Sequence, residues 1–260
     1  MDPVKAAPFE LGHGQDAVLI LHGFTGSPWD VRPLGEVLAH HGFFVRGIRL
    51  PGHGLSPEAM LGVSWRDWER ATSEALDALS GYRRVFVAGL SMGALLSVLL
   101  AASAPQRIHG IALLAPAVRF RERTHGLLRA FRHVPLLHLA RPWIHKSVTD
   151  LADQAALAEA PILRRWPSER LHDLWTIQDR AREALEKVTS PTLIAVSAHD
   201  HVVSPEGGAE LARGLVNARH VRFLRFERGF HIMPRDLDRD VVCDEVRQFF
   251  DRCRAAAPAI

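Results

Sequence analysis

Three residues of this chain are of the types that together make a serine reactive. Ser91 lies in the sequence GLSMG at residues 89–93, and Asp200 and His231 follow it in that order. A serine hydroxyl is a poor nucleophile at its own pKa, so it needs an imidazole to accept its proton, and the imidazole needs a carboxylate to fix its tautomer and stabilise its cation. We therefore predict a catalytic triad of Ser91, Asp200 and His231 that acts through an acyl-enzyme intermediate.

The surroundings of Ser91 predict a sharp turn between a strand and a helix. Residues 85–88 form an apolar run typical of a strand buried on both faces, and the sequence from Met92 is rich in Ala and Leu, which favour helices. Such a turn projects the serine Oγ above the sheet, and Gly89 and Gly93 would let neighbouring backbone come close. The alternative is that Ser91 only caps the helix while the glycines pack.

Asp200 and His231 each lie just past a predicted strand, at residues 192–196 and 221–226 respectively. The carboxyl ends of parallel strands are where open sheets gather their functional loops. Taken singly, each residue is weak evidence, because a loop histidine is usually solvated or packed and an aspartate before a helix is usually a cap. Three such residues at three strand ends are much harder to attribute to chance.

A loop with two glycines, HGFTG at residues 22–26, follows the first long predicted strand. Its glycines allow backbone N–H groups to turn inward, so we predict that the N–H groups of Phe24 and Met92 bind the oxyanion. His22 is expected to buttress this loop, and His53 to organise its own PGHG turn. No metal or cofactor is expected, since the chain has no His or Cys cluster at metal-ligand spacing, no G-x-G-x-x-G and no P-loop.

The composition is that of an ordinary globular protein. The chain has 260 residues, of which 47% are hydrophobic and 23% charged, and its formal net charge is +3 without any run of five basic residues. These values predict a folded chain with no nucleic-acid partner. Because the start lacks the build of a secretory signal and the longest apolar stretches are shorter than a membrane span, we expect a cytoplasmic protein. Cys243 and Cys253 should not bridge, because ten residues of one predicted helix separate them by about 15 Å.

Predicted strands and helices alternate along most of the chain, which indicates a parallel sheet with right-handed crossovers. The predicted strands cover residues 15–22, 43–50, 85–88, 108–115, 192–196 and 221–226, and the predicted helices cover residues 29–41, 65–79, 205–215 and 240–254, besides the one from Met92. Residues 1–117 and 189–260 are predicted to form one core domain.

Residues 118–188 differ from the rest, since prolines interrupt helical segments rich in Leu, Trp and Arg and strand-like runs disappear. We predict a helical cap over the sheet that binds an acyl chain, and its excess of Lys and Arg could bring it into contact with anionic lipid surfaces. The alternative is that its apolar residues only pack onto the core. Those residues are Leu127, Leu128, Phe131, Leu136, Leu137, Leu139, Trp143 and Ile144.

Five features in this order, LHGFTGSP, RLPGHG, GLSMGA, DHVVSP and the late His231, resemble the bacterial monoacylglycerol lipase and carboxylesterase branch of the α/β-hydrolases. The resemblance is densest over residues 18–117 and 191–250. It implies the α/β-hydrolase fold, with a mostly parallel central sheet flanked by helices and a small helical cap insertion, and it implies the triad of Ser91, Asp200 and His231. The implied activity is hydrolysis of monoacylglycerols or short- to medium-chain acyl esters.

The resemblance leaves the substrate open. Ala94 stands where the family usually has a second glycine, and Phe230 stands where a small residue often precedes the histidine. A lysophospholipase, another acyl-bond hydrolase or an acyltransferase would use the same triad, and the basic cap could hold a phosphate head group. A non-catalytic ligand-binding protein on the same fold is a further alternative. The sequence predicts no oligomeric state.

Overall fold

A computed structural model describes residues 2–121, 138, 141–146 and 149–256 of the chain. Its main sheet has the strand order β1-β3-β2-β4-β5-β8-β9. The strands of this sheet are β1 (Phe9–Leu11), β2 (Asp16–Leu21), β3 (Phe43–Ile48), β4 (Arg84–Leu90), β5 (Ile108–Leu114), β8 (Thr192–Ser197) and β9 (Val221–Phe226). The pairs are parallel except for β1 with β3. The mostly parallel sheet is therefore confirmed, whereas β1, too short for a periodic pattern, was not predicted.

Strands β2, β4 and β8 are buried along their whole length, because helices cover both faces of this sheet. The α-helices are α1 (Arg32–His40), α2 (Trp65–Asp77), α3 (Met92–Ser103), α4 (Gln154–Glu159), α5 (Arg170–Ala184), α6 (Pro205–Gly214) and α7 (Arg239–Ala256). Short 3₁₀ helices span Pro28–Asp30, Pro57–Met60, Leu185–Lys187 and Met233–Arg235. Helix α1 packs against α7, while α2, α3 and α5 pack against one another. The predicted helices agree with these bounds to within a few residues.

The segment from 118 to 188 is predicted to be a helical cap, and its described residues include strands that the sequence did not predict. It contains an antiparallel pair of strands, β6 (Trp143–His145) and β7 (Arg165–Pro167). Strands of three residues are too short to produce an alternating pattern. Of the apolar positions named above, Trp143 and Ile144 are half-buried. The positions Leu127, Leu128, Phe131, Leu136, Leu137 and Leu139 lie outside the described residues, as do residues 257–260.

Helix α5 lies inside this segment but is attached to the core. The backbone N–H of Trp65, at the start of α2, donates to the Asp173 carboxylate at 3.0 Å. Arg180 and Glu69 form a two-bonded ion pair between the same helices, at 2.9 and 3.1 Å. The contacts of α5 with α2 and α3 therefore hold the carboxyl-terminal part of the segment against the core.

Two further predictions concern the helices. Cys243 and Cys253 are both buried and unbridged, as expected from their separation along α7. Among the helices of the described residues, none has the length and apolar character that crossing a membrane requires.

Candidate active site

Ser91 forms the sharp turn between β4 and α3 that the sequence predicts. Its φ of 58° and ψ of −114° are unusual for a residue with a side chain and store backbone strain. The Ser91 N–H donates to the Leu114 carbonyl at 2.9 Å, and its own carbonyl accepts from Ala94 and Ala117. Backbone from the neighbouring strand β5 thus holds the strained turn in place.

The two glycines beside this turn are required by close packing. A Cβ at Gly89 would overlap the carbonyl of Gly93, and a Cβ at Gly93 would overlap the carbonyl of Leu21 at the end of β2. Any side chain at either position would push α3 away from the sheet. The predicted close approach of backbone at both glycines is therefore confirmed.

His231 and Asp200 form a direct pair beyond the ends of β9 and β8. The His231 Nδ1 lies 2.7 Å from Asp200 Oδ2, and Asp200 is 1% exposed. The other carboxylate oxygen, Oδ1, accepts from the N–H groups of Val202 and Val203, both at 2.8 Å. An ionised Asp200 makes Nδ1 the donor, so the bonding pattern assigns the free lone pair of the imidazole to Nε2.

The pKa of His231 is raised above its ordinary value. Burial by itself would lower this pKa, but attraction to Asp200 and the hydrogen bond with it outweigh burial, with a further contribution from Asp150. The positive charge of Lys146 acts in the opposite direction and lowers the pKa of His231. The imidazole is thus more basic than a histidine in water, which suits a group that must accept a proton.

Ser91, Asp200 and His231 share one edge of the sheet, because each follows the carboxyl end of a parallel strand. The loop at residues 22–26 lies against the same place, since a Cβ on Gly23 would stand 3.1 Å from the Ser91 Cβ and 3.7 Å from its Oγ. Met92 is the first residue of α3, where N–H groups have no acceptor within the helix. The backbone segments that carry Phe24 and Met92 therefore both adjoin Ser91.

The contacts of His22 and His53 agree with the supporting roles predicted for them. His22 Nε2 accepts from the Leu50 N–H at 3.0 Å, which leaves Nδ1 to donate to the Gly23 carbonyl at 2.9 Å. Burial, and next the charge of His53, lower the pKa of His22 to about 3. The Nδ1 of His53 lies 2.9 Å from the Pro51 carbonyl oxygen, and burial lowers the pKa of His53 to about 4. Both rings are therefore neutral; His22 ties the glycine loop to the backbone just before the PGHG turn, and His53 bonds within that turn.

The segment between β5 and β8 covers the glycine loop at two points. The ring of Trp166 in β7 meets the ring of Phe24 edge-on, with centroids 4.9 Å apart. Lys146, just after β6, donates from Nζ to Thr25 Oγ1 at 3.2 Å. Burial lowers the pKa of Lys146, an effect that the charges of Asp30 and Asp150 oppose. The amine of Lys146 therefore reaches the loop predicted to bind the oxyanion.

Sequence analysis did not single out three residues that hold the site together. Arg121 donates from Nε to the Asp200 carbonyl at 2.6 Å and from Nη2 to the Ala198 carbonyl at 2.7 Å, which fixes the loop after β8. Lys146 contacts the glycine loop, and the Asp236 carboxylate accepts from the Phe230 N–H beside His231 at 2.7 Å. None lies in a recognisable motif, so no pattern in the sequence distinguishes them.

The chain is similar in sequence to known enzymes over most of its length. Residues 12–238 match the family described as serine aminopeptidase, S33. Over 247 residues the chain is 30% identical to a thermostable monoacylglycerol lipase of Bacillus sp. (strain H-257), a match that covers 94% of each protein. Over 257 residues it is 26% identical to a carboxylesterase of Bacillus subtilis (strain 168), which covers 97% of this chain and 99% of that protein.

Solved structures share the fold. A structure from a study of LipS and LipT, two metagenome-derived lipolytic enzymes, superposes with a TM-score of 0.87 at 29% identity and covers 95% of this chain and 98% of the other. Alpha/beta hydrolase domain-containing protein 10 from mouse superposes with a TM-score of 0.67 at 15% identity, covering 94% of this chain and 93% of the other. The predicted α/β-hydrolase fold is confirmed.

Proposed function

The chain belongs to the family described as serine aminopeptidase, S33, and from this premise we propose that it is a serine hydrolase that cleaves carboxylic esters. The observation that carries the proposal is the buried pair of His231 and Asp200, 2.7 Å apart, at the sheet edge where the strained turn presents Ser91. The sequence relatives named as a lipase and an esterase support an ester as the substrate bond.

In the proposed mechanism, Ser91 Oγ attacks the acyl carbonyl while its proton passes to His231 Nε2. The tetrahedral oxyanion accepts hydrogen bonds from the backbone N–H groups of Phe24 and Met92. The alcohol then leaves with the proton from Nε2, and water attacks the acyl-enzyme by the same route. Asp200 stays ionised throughout and stabilises the imidazolium that forms.

We further propose a single-acyl substrate, either a monoacylglycerol or a short- to medium-chain ester. The segment from 118 to 188 would act as the cap, since its Trp166 and Lys146 lie over the glycine loop. Contact of this cap with lipid surfaces and a cytoplasmic location belong to the same proposal. The unbridged Cys243 and Cys253 are compatible with a reducing compartment.

Two tests separate this proposal from its alternatives. A fluorophosphonate probe should label the wild-type protein and the Ser103→Ala control, but not Ser91→Ala. Ser103 is a suitable control because its hydroxyl bonds the Leu100 carbonyl near the other end of α3, away from the turn at Ser91. Labelling of Ser91→Ala equal to wild type would remove Ser91 from the mechanism, and absence of labelling in all three would favour a non-catalytic ligand-binding protein.

The second test identifies the bond that is cleaved. Turnover should be compared on p-nitrophenyl butyrate, monolauroylglycerol, a lysophospholipid and an amino-acid p-nitroanilide. We expect the two simple esters to be hydrolysed with much higher kcat/KM than the other two substrates. A preference for the anilide would support the aminopeptidase in the family's description, and a preference for the lysophospholipid would support the phosphate-binding alternative.

A further inference from the structure

A cavity lies at the end of the sheet opposite Ser91. Its volume is about 650 Å³, within the range of small-molecule sites. Arg84 at the start of β4, Ile108 at the start of β5 and Pro191 just before β8 all line it. Because these strands are parallel, the cavity lies at their amino ends and is separate from the proposed catalytic site.

The side chains around this cavity are strongly cationic. Its polar lining includes the side chains of Arg83, Arg84, Arg219, Arg252, His109 and His220. Among the described residues that line it, none is an aspartate or a glutamate. Arg83, Arg84 and Arg254 all approach one neighbouring carboxylate, Asp16, at 3.4, 3.5 and 3.3 Å. Arg254 also pairs with Asp251 at 3.7 Å, so the charge available to a ligand is that of the other lining arginines, Arg219 and Arg252.

One further observation favours a ligand in this cavity. Ser190 lines the cavity and is 3% exposed, and its hydroxyl has no hydrogen-bond partner within the described part of the chain. A buried hydroxyl without a partner is costly unless a ligand or water completes its bonding.

The inner wall of the cavity is apolar. Ile108, Phe249 and Cys253 line it and are 3%, 2% and 9% exposed. Arg219 and Arg252 lie at its exposed side. The cavity therefore offers cations towards solvent and a hydrophobic surface inside, which is the arrangement that an amphiphilic anion requires.

We propose that this cavity binds an amphiphilic organic anion, with a carboxylate or phosphate group held by Arg219 and Arg252 and an apolar segment against Phe249. Guanidinium groups can bind either head group, because they donate paired hydrogen bonds to carboxylate and phosphate oxygens. An acyl carboxylate, which ester hydrolysis releases, and an alkyl phosphate are the two sources of this chemistry.

Isothermal titration calorimetry on the full chain tests the proposal with decanoate, decyl phosphate and inorganic phosphate. The double variant Arg219→Gln/Arg252→Gln should bind the preferred amphiphile at least about tenfold more weakly than the wild type, because two charge-assisted contacts are lost. The matched control Arg66→Gln/Arg213→Gln removes two exposed arginines that do not line the cavity, and it should bind as the wild type does. Added salt should weaken binding to the wild type.

Decanoate binding without decyl phosphate binding would identify a carboxylate ligand, and the reverse would identify a phosphate ligand. Equal affinity of the double variant and the wild type would overturn the proposal, as would inorganic phosphate binding as tightly as the preferred amphiphile. If the double variant does not fold, the single variants Arg219→Gln and Arg252→Gln carry the same comparison. Since the measurement is binding and not turnover, its outcome is independent of the proposed esterase activity.

Discussion

Asp236 links the loop of His231 to the segment that covers the site, and its substitution tests that link. Its carboxylate is 2% exposed and accepts from the N–H groups of Phe230 at 2.7 Å, Leu237 at 2.8 Å, Asp153 at 2.9 Å and Ala152 at 3.0 Å. Phe230 and Leu237 belong to the loop of His231, whereas Ala152 and Asp153 belong to the segment that covers the site. Asp236 is therefore a positioning residue and has no role in the chemical step itself.

The cost of Asp236→Asn follows from this geometry, because the new amide group keeps only one oxygen. With the amide nitrogen in place of Oδ2, the Phe230 N–H loses its acceptor; with the amide flipped, the N–H groups of Asp153 and Leu237 lose theirs. The first arrangement costs less free energy, because only the Phe230 N–H is left without an acceptor. An unpaired buried donor costs about 1–3 kcal/mol and the remaining bonds lose charge assistance, so the free energy of unfolding should fall by about 2–4 kcal/mol.

Urea denaturation and ester hydrolysis measure the two consequences. Because Phe230 precedes His231, a shifted loop should also lower kcat/KM by about 10- to 100-fold in the folded variant. The control Asp240→Asn changes a carboxylate that is 86% exposed, and it should alter stability by less than about 0.5 kcal/mol. If Asp236→Asn matched the wild type in both measurements, the link inferred from these hydrogen bonds would be refuted.

Three other predictions concern the proposed triad. Protonated His231 cannot accept the serine proton and its pKa is raised, so kcat/KM should rise with pH through a midpoint above the ordinary histidine value of about 6.5 and then level off; a flat profile from about pH 5 to 9 would argue against a histidine base. Lys146→Met removes a charge that lowers this pKa, so the midpoint should move to higher pH, whereas the exposed control Lys187→Met should leave it unchanged. Asp200→Asn should lower kcat by about 10³- to 10⁴-fold because the amide favours the wrong tautomer. If Asp200→Asn kept near-wild-type turnover, another acid would have to orient His231. Glu206→Gln, measured beside it, would test the first such acid.

Local sequence was enough to predict the turn at Ser91. An apolar strand, a glycine-flanked serine and a helix-favouring run are neighbours in the chain, and the turn they form depends mainly on their own packing. The triad of Ser91, Asp200 and His231 could likewise be predicted from the sequence, because each residue is a polar residue just past the end of a predicted strand. Because parallel strands in one sheet end at a common edge, predicting the strands was nearly equivalent to predicting this edge.

Tertiary structure alone decided which residues support that edge. The Lys146 contact with Thr25 and the Asp236 contacts with Ala152 join residues that are far apart in sequence. Neither contact has a periodic pattern or a motif, since one charged side chain and one loop backbone carry no signal of their partner. The strands β6 and β7 were missed for a related reason, because pairing across a long connection stabilises three-residue strands that their own sequence does not specify. Repetition and proximity along the chain make structure predictable, and single contacts between distant segments are settled only when the chain has packed.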